Sequence, residues 1–270
     1  NTQATFPLAA MLLFPALFLG VIGLIDDLRT LQPLPRLIIQ SVTAIIVSVF
    51  LINTDTVAIH FDSTIVDEVI MVFWIIGICN SINFFDNLDG GAAGTVAIAS
   101  FFLFLIANSE GQILVSALAI VVCGSTAGFL LWNKSPAKIY MGDAGALFLG
   151  IVMGVLTIRL DPGVKPQALS LVIPIALLAI PILDTTVAVT SRLYRGISPF
   201  TGGRDHLSHR LMRIGMHRKY AAITLWAASG VYGLLAYAIY QSQNSLYAYI
   251  AGAGWVALLV FFLRVPSEDK

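Results

Sequence analysis

Long apolar runs alternate with short polar segments along the 270-residue chain. A helix needs about 20 apolar residues to cross roughly 30 Å of hydrocarbon. Runs close to that length occur at residues 6–25, 36–52, 67–85, 91–107, 112–132, 145–160, 169–191, 220–240 and 246–264. The pattern therefore predicts an all-α fold, a polytopic bundle of about nine transmembrane helices.

Composition supports a membrane protein. Apolar residues make up 58% of the chain and charged residues 11%, which is too little polar surface to cover a water-soluble globule. The first run has no basic leader and no small-residue cleavage site, and we interpret it as a span. No linker, low-complexity tract or internal repeat divides the runs. Residues 1–270 are therefore predicted to form one integral membrane domain, in which Cys79 and Cys123 are buried thiols.

The charges are distributed unequally between the two sides of this bundle. If nine spans alternate in direction, 13 of the 15 Lys and Arg residues fall on one side. They are Arg29, Arg36, Lys134, Lys138, Arg192, Arg195, Arg204, Arg210, Arg213, Arg218, Lys219, Arg264 and Lys270. Only Arg159 and Lys165 fall opposite. The positive-inside rule then makes the basic face cytoplasmic and places the N-terminus outside.

Polar motifs lie on the same face, in the predicted cytoplasmic loops 26–36, 83–91, 133–145 and 192–219. Asp26 and Asp27 end the first span, where the helix dipole disfavours negative charge and the two carboxylates repel each other. A cation is expected to compensate them. The pair is either an ordinary acidic helix exit or part of a metal-diphosphate or general-base site.

Two further motifs add amides and acids at helix boundaries. Residues 80–91 read Asn-Ser-Ile-Asn-Phe-Phe-Asp-Asn-Leu-Asp-Gly-Gly, which is either a turn with a helix cap or a polar site at the membrane surface. Asp143 follows Lys138 and opens the sixth span, where it is either an N-cap or a magnesium ligand. Free backbone amides at such a helix start attract phosphate.

The longest loop carries basic and histidine residues. His206, His209, Arg210 and Arg213 share neighbouring faces if this segment is helical, and they suit an anion or a lipid headgroup better than Zn²⁺. Asp184 lies inside the seventh span, as either a functional carboxylate or a hydrogen-bonded helix contact. Pro174 and Pro181 are expected to kink that span.

Together these residues indicate an enzyme that handles diphosphates. Phosphoryl transfer needs positioning and charge neutralisation by a metal, Lys and Arg, and the location favours a lipid phosphate as one substrate. The alternatives are a CDP-alcohol-type phosphatidyltransferase and a non-enzymatic transporter. The first would continue Asp89-Gly90 into Ala-Arg with two more spaced aspartates, whereas residues 91–107 carry no charge. The second would place its polar site near the bilayer midplane.

The order of these motifs resembles the polyprenyl-phosphate N-acetylhexosamine-1-phosphate transferases, the MraY and WecA-like glycosyltransferase family 4. The matching segments are GLIDD, LQPLPR, NSINFFDNLDG, KIYMGDAGALFLG, PILDTT and SPFTGGRDHLSHRL. Gly202-Gly203 and Ser208 look more like the WecA branch. Members usually begin with two further spans, which this chain is expected to lack. Asn87 stands where a Gly is common, and Ser208 where many members have another His.

The resemblance implies a role for each motif. Asp26 and Asp27 would be the catalytic pair, with Asp26 acting on the lipid phosphate, and Asp143 and Asn83 would lie at the Mg²⁺ (or Mn²⁺). The implied substrate-binding residues are Arg36, Asn80, Asp86, Asp89, Lys138, Arg204, His206, His209 and Arg210, with Asp184 as a further candidate.

The resemblance also implies a reaction and partners. The lipid phosphate would attack the β-phosphorus of a UDP-sugar and release UMP at the cytoplasmic face of the cell membrane. The expected partners are a UDP-sugar, polyprenyl (undecaprenyl) phosphate and the lipid bilayer, with no nucleic acid. A homodimer is a candidate assembly.

Overall fold

The computed structural model describes residues 2–58, 61 and 63–266, with side chains from residue 6 onward. This part of the chain is helical and contains no strand. The helices are α1 (Thr2–Arg29), α2 (Pro33–Asn53), α3 (Thr64–Phe85), α4 (Gly91–Ser109), α5 (Ile113–Asn133), α6 (Gly142–Arg159), α7 (Gln167–Leu177), α8 (Ala179–Tyr194), α9 (Leu207–Arg213), α10 (Arg218–Ser242) and α11 (Ser245–Arg264).

The predicted spans correspond closely to these helices. Among the described residues, eight helices are long and apolar enough to cross a membrane, and α7 with α8 forms a ninth candidate. The predicted all-α membrane fold is therefore confirmed. Lys270, which was counted among the cytoplasmic basic residues, lies outside the described residues.

The seventh predicted span, 169–191, consists of two helices, α7 and α8. The chain bends by 74° between α7 and α8, at Leu178. Pro181 has no backbone N–H, so it cannot donate to the carbonyl four residues earlier, and its ring crowds that turn. The expected proline kink is thus a break, after which α8 carries Asp184 towards the histidine segment.

Helix α6 lies against α1 and α3, and glycines allow the backbones to approach closely. A Cβ on Gly23 of α1 would lie 2.3 Å from the carbonyl oxygen of Asp143. A Cβ on Gly150 of α6 would lie 2.6 Å from the Cα of Cys79 in α3. These crossings bring the ends of α1 and α3 to the start of α6. Small residues at membrane helix crossings commonly serve this purpose.

The Gly23 crossing gives a stability prediction. Gly23→Ala should force α1 away from α6 and destabilise the protein by about 1–3 kcal/mol, the usual cost of overpacking. The measurement is the temperature at which half of the detergent-solubilised protein is lost from its size-exclusion peak. Gly77→Ala is the control, because a Cβ there meets nothing within 4 Å. Equal midpoints for the two variants would contradict the crossing.

Candidate active site

Three helix ends meet at one end of the bundle and bring acidic side chains together. Asp26 and Asp27 end α1, Asn83 lies in the last turn of α3, and Asp143 opens α6. The sequence predicted these residues as one site, and the structure brings them into contact. The α1–α6 and α3–α6 crossings determine this arrangement, because each glycine contact lies within a few turns of the acidic residues.

Asp27 caps helix α6 from outside that helix. Its carboxylate oxygens accept the backbone N–H groups of Asp143, at 2.9 Å, and Ala144, at 3.1 Å. A carboxylate at a helix start satisfies free donors and complements the helix dipole. Gly142 permits the contact, because its φ is +64° and a Cβ there would lie 2.5 Å from Asp27 Oδ2. Asp27 therefore takes the capping function that was one interpretation of Asp143.

Asp143 accepts hydrogen bonds from side chains of two other helices. Asn83 Nδ2 donates to Asp143 Oδ1 at 2.7 Å, and Arg36 Nη1 donates to Asp143 Oδ2 at 2.7 Å. The same Arg36 nitrogen donates to Asp26 Oδ2 at 2.6 Å, while the N–H of Leu31 donates to Asp26 Oδ1 at 2.5 Å. Arg36 is thus the cation that the paired carboxylates were expected to need.

Asp86 completes the acidic cluster just beyond the end of α3. Burial raises the pKa of its carboxyl to about 7, and the negative charges of Asp143 and Asp27 add to the shift. The backbone N–H of Gly142 opposes the shift by hydrogen bonding to Asp86. The carboxyl is therefore close to half protonated near neutral pH, mainly because it is buried and further because two carboxylates lie nearby.

These residues suit a divalent cation in chemical type. Carboxylate and amide oxygens are the donors that Mg²⁺ prefers, and the mutual repulsion at Asp86 would be relieved by a cation. Within the described residues, however, no three His, Cys, Asp or Glu side chains form a ready metal cage. Asp143 is occupied by Arg36 and Asn83 instead. The site therefore has donors of the type that Mg²⁺ prefers, with both oxygens of Asp143 engaged by protein side chains.

Hydrogen bonds join the loop after α3 to the loop after α5. The Asn133 side chain accepts the N–H of Gly90 at 3.0 Å and donates to the carbonyl of Ile139 at 2.9 Å. Asp89 Oδ2 accepts the N–H of Ala137 at 3.2 Å. Sequence reasoning missed Asn133, although an amide directly after an apolar run was a usable signal. Asp89 therefore helps to hold the two loops together.

A cavity of about 290 Å³ opens beside Arg36, between α2, α3, α8 and the loop after α8. It is lined by Pro33, Arg36, Leu37, Asn80, Phe84, Thr185, Val189, Pro199 and Phe200. Asn80 Nδ2 donates to Gln40 Oε1 at 2.7 Å, and Gln40 is buried one helical turn after Arg36. Gln40 was also missed, and its signal was an amide within an apolar span. The cavity walls are mostly apolar, with Arg36 and Asn80 as polar groups.

Asp184 joins the histidine-rich segment to α8. Its Oδ2 lies 2.7 Å from His206 Nδ1, and its Oδ1 accepts the N–H of Leu207 at 2.7 Å. Asp184 is fully buried, so these bonds fix the imidazole and the start of α9 in place. From the sequence, Asp184 could be either a functional group or a structural contact. In the structure its side chain contacts His206, a predicted site residue, and the N–H of Leu207.

A buried ion network supports the loop before α9. Arg192 Nε lies 3.0 Å from Asp205 Oδ2, and Arg195 also pairs with Asp205. Arg192 lies over the ring of Phe84, with 5.6 Å between its guanidinium carbon and the ring centroid. His206 meets the same ring edge-on, at 6.0 Å between centroids. The histidine segment is therefore held against the end of α3, close to Asn83.

His209 lies beside His206, with 6.1 Å between the ring centroids. Burial lowers the pKa of His209, and His206, Arg204 and Arg213 lower it further, while Asp184 raises it. The imidazole is therefore mostly neutral near pH 7. Ser208, between the two histidines, donates to the side-chain oxygen of Asn87 and so connects α9 to the 86–91 loop.

Three predicted substrate-binding residues, Arg210, Arg204 and Lys138, have no described contact with the acidic cluster. Arg210 is buried, and its guanidinium donates to the backbone carbonyls of Asp205, Phe262 and Val265, so it fastens α9 to the end of α11. This geometry does not favour contact between Arg210 and substrate. Arg204 and Lys138 are exposed, and Lys138 Nζ lies over the ring of Trp132 at 5.4 Å from its centroid. A substrate role for these two stays a prediction.

Known proteins share this arrangement of motifs. The family model for glycosyl transferase family 4 matches residues 9–161, which include the ends of α1 and α3 and the start of α6. The chain belongs to glycosyl transferase family 4. This membership agrees with the predicted resemblance and separates the chain from the CDP-alcohol phosphatidyltransferases.

Three relatives show the range within family 4. A probable undecaprenyl-phosphate N-acetylglucosaminyl 1-phosphate transferase of Bacillus subtilis is 31% identical over 94% of this chain and 70% of its own length. A decaprenyl-phosphate N-acetylglucosaminephosphotransferase of Mycobacterium leprae is 29% identical over 87% of this chain and 66% of its own. A phospho-N-acetylmuramoyl-pentapeptide-transferase of Geobacillus thermodenitrificans is 28% identical over 83% of this chain and 72% of its own length.

The raised pKa of Asp86 gives a testable titration in this family 4 site. In cation-free protein its carboxyl should titrate near 7, protonated below and ionised above. Asp143→Asn should lower that midpoint because a like charge is lost, while burial keeps it above the ordinary value. The measurement is ¹³C NMR of labelled Asp carboxyls, assigned with Asp86→Asn. A midpoint near 4, or an equal effect of Asp161→Asn beyond the far end of α6, would contradict the cluster.

Proposed function

We propose that this protein transfers a sugar-1-phosphate from a UDP-sugar to a polyprenyl phosphate, with Mg²⁺ or Mn²⁺ as cofactor. The observation that carries the proposal is the meeting of Asp26, Asp143 and Asn83 around Arg36 at one end of the bundle, beside a mostly apolar cavity. Family membership and the printed names of the relatives support the same reaction class.

The proposed reaction exchanges one phosphorus–oxygen bond for another. An oxygen of the lipid phosphate attacks the β-phosphorus of the UDP-sugar, and the bond from that phosphorus to the bridging oxygen breaks. The products are polyprenyl-diphospho-sugar and UMP. Such transfers depend on positioning and charge neutralisation, because the protein has little covalent chemistry to do.

Asp26 is the better placed of the two catalytic candidates. Both carboxylates accept two hydrogen bonds, and their partners differ. Asp27 caps the start of α6, whereas Asp26 accepts from the N–H of Leu31 and from Arg36, and Arg36 lines the cavity. We assign Asp26 to orient the lipid phosphate through the arginine that it shares with Asp143. Arg36 then pairs with the phosphate charge.

Asp143, Asn83 and Asp86 are the residues that would hold the divalent cation. When bound there, the cation would neutralise charge on the diphosphate. The chain itself contributes the orientation of these groups, since Asn83 fixes one oxygen of Asp143 and the capped α6 fixes its backbone. The backbone amides at the start of α6 also favour a phosphate nearby.

The donor side of the site is assigned to two loops. Asp89 and the 86–91 loop, fastened through Asn133, would receive the nucleotide. His206 and His209, held by Asp184 and α9, would lie at the diphosphate or the sugar. The sugar is proposed to be an N-acetylhexosamine, with UDP-N-acetylglucosamine as the first donor to test. The Bacillus and Mycobacterium relatives carry that sugar in their names.

The membrane position of the site follows from the charge distribution. The acidic cluster lies at the same bundle end as the basic loops after α1, α5 and α8. We therefore propose that the site faces the cytoplasm from the cell membrane, where nucleotide sugars and the polyprenyl headgroup meet. A transporter is less suitable, because Asp184 is engaged by His206 and Leu207 near this surface.

The reaction proposal predicts a severe defect for Asp143→Ala. Purified protein in lipid nanodiscs with undecaprenyl phosphate, Mg²⁺ and UDP-N-acetylglucosamine should release UMP and form lipid-linked sugar phosphate. Asp143→Ala should reduce UMP release by at least about a thousandfold, because the assigned cation ligand and the contacts to Arg36 and Asn83 are lost together.

Asp161→Ala is the matched control, since this exposed acid lies beyond the far end of α6. Its UMP release should equal that of the unaltered protein. Near-normal release by Asp143→Ala would overturn the assigned site. Absence of product from the unaltered protein with every UDP-sugar, including UDP-N-acetylmuramoyl-pentapeptide, would overturn the proposed reaction.

A further inference from the structure

Arg36 neutralises two carboxylates that arrive on different helices. Its Nη1 lies 2.6 Å from Asp26 of α1 and 2.7 Å from Asp143 of α6, while Arg36 itself belongs to α2. A single guanidinium nitrogen therefore serves both acids. One of them, Asp143, is the residue that the proposed function assigns to the divalent cation.

The bonds to Asp143 oppose cation binding in this arrangement. One oxygen of Asp143 accepts the Arg36 guanidinium and the other accepts the Asn83 amide. A guanidinium in contact with a carboxylate repels a second cation at the same oxygen, and at such short distances solvent screens this repulsion poorly. A divalent cation at Asp143 thus competes directly with Arg36.

Arg36 has space into which it can move. Its side chain is 19% exposed and lines the cavity of about 290 Å³ together with Asn80 and Phe84. The long side chain of Arg can turn from Asp143 into this cavity without moving helix α2. In the cavity it would meet an anionic group while its stem stays against apolar walls.

We propose that Arg36 is a displaceable counter-cation. Without a divalent cation it holds Asp26 and Asp143 together; when the cation binds, Arg36 leaves Asp143 and turns into the cavity to pair with the phosphate of the acceptor lipid. The identity of that lipid phosphate and the assignment of the divalent cation to Asp143 both rest on the proposed function. The competition between Arg36 and the cation follows from the contacts of Asp143 and favours cation binding before acceptor binding.

Removing Arg36 should have opposite effects on cation affinity, depending on whether Arg36 competes with the cation or only bridges α1 and α6. If Arg36 competes with the cation, the apparent affinity is reduced by the fraction of molecules in which Arg36 occupies Asp143. Removing the guanidinium should therefore strengthen cation binding in the absence of substrates. If Arg36 only holds α1 and α6 together, its removal should loosen the ligands and weaken binding.

The test is a titration of Mn²⁺ into purified protein in lipid nanodiscs without either substrate. Free Mn²⁺ is measured from its electron paramagnetic resonance signal. Arg36→Gln is expected to bind Mn²⁺ about tenfold more tightly than the unaltered protein, which is the lower end of what a charged hydrogen bond contributes. Arg36→Lys should show a gain of about threefold, because an ammonium lacks the planar fork.

Arg29→Gln is the charge-matched control. Arg29 is exposed in the last turn of α1, and no hydrogen bond joins it to Asp143 among the described residues. Its loss should change Mn²⁺ affinity by less than about twofold, because solvent screens an exposed charge. An equal gain in this variant would overturn the proposal, since the effect would then be one of total charge.

Unchanged or weaker Mn²⁺ binding by Arg36→Gln would also overturn the proposal. If that variant does not elute as a single species, Arg36→Lys decides by the same criterion, with unchanged or weaker binding counting against it. Turnover is scored separately. Tighter Mn²⁺ binding with no product from any UDP-sugar would leave the exchange standing while the proposed function fails.

Discussion

The contact of Arg36 with Asp26 and Asp143 is the interaction on which the rest of the site depends. Acidic groups at the margin of the hydrocarbon are costly unless a cation accompanies them. Arg36 is that cation in this structure, and it contacts both acids where α1 and α6 approach closely at Gly23. The close backbone crossing thus brings the two acids within reach of one arginine.

The other elements bring substrate-facing groups to this cluster. Asp27 caps α6, and Asn133 fastens the 86–91 loop to the loop after α5. The chain bends at Leu178 between α7 and α8, and Asp184 of α8 holds His206. Each contact joins segments that are distant in sequence. The resulting site has an acidic centre, a mostly apolar cavity on one side and a histidine-bearing helix nearby, which suits the joining of a lipid phosphate to a nucleotide sugar.

Much of the fold could be predicted from sequence because hydropathy and the positive-inside rule act on every span locally. The break at Leu178 could not be located, because the pattern shows prolines but not how far a helix bends. The motifs identified Asp26, Asp27, Asn83 and Asp143. The sequence could not show which role each aspartate has. The two adjacent aspartates look alike in sequence, yet in the structure Asp27 caps α6 and Asp26 pairs with Arg36.

Partners that act through tertiary contacts were the hardest to predict. Gln40 and Asn133 are single amides in or beside apolar runs. Their structural roles become visible only from their hydrogen bonds to Asn80 and Gly90. Arg210 shows the reverse difficulty. A basic residue next to two histidines resembled an anion ligand, whereas its guanidinium is buried against backbone carbonyls near the end of α11.

We propose that these acids hold a divalent cation at their end of the bundle. The most direct measurement replaces Mg²⁺ with Fe²⁺, ascorbate and dissolved oxygen, so that oxidation occurs where the metal is bound, and maps oxidised peptides by mass spectrometry. Oxidation is predicted in residues 80–89 and at Met141, with conversion of the methionine to its sulfoxide, and excess Mg²⁺ should suppress both. Oxidation that ignores Mg²⁺, or that appears equally in residues 161–165 on the opposite side, would contradict the account.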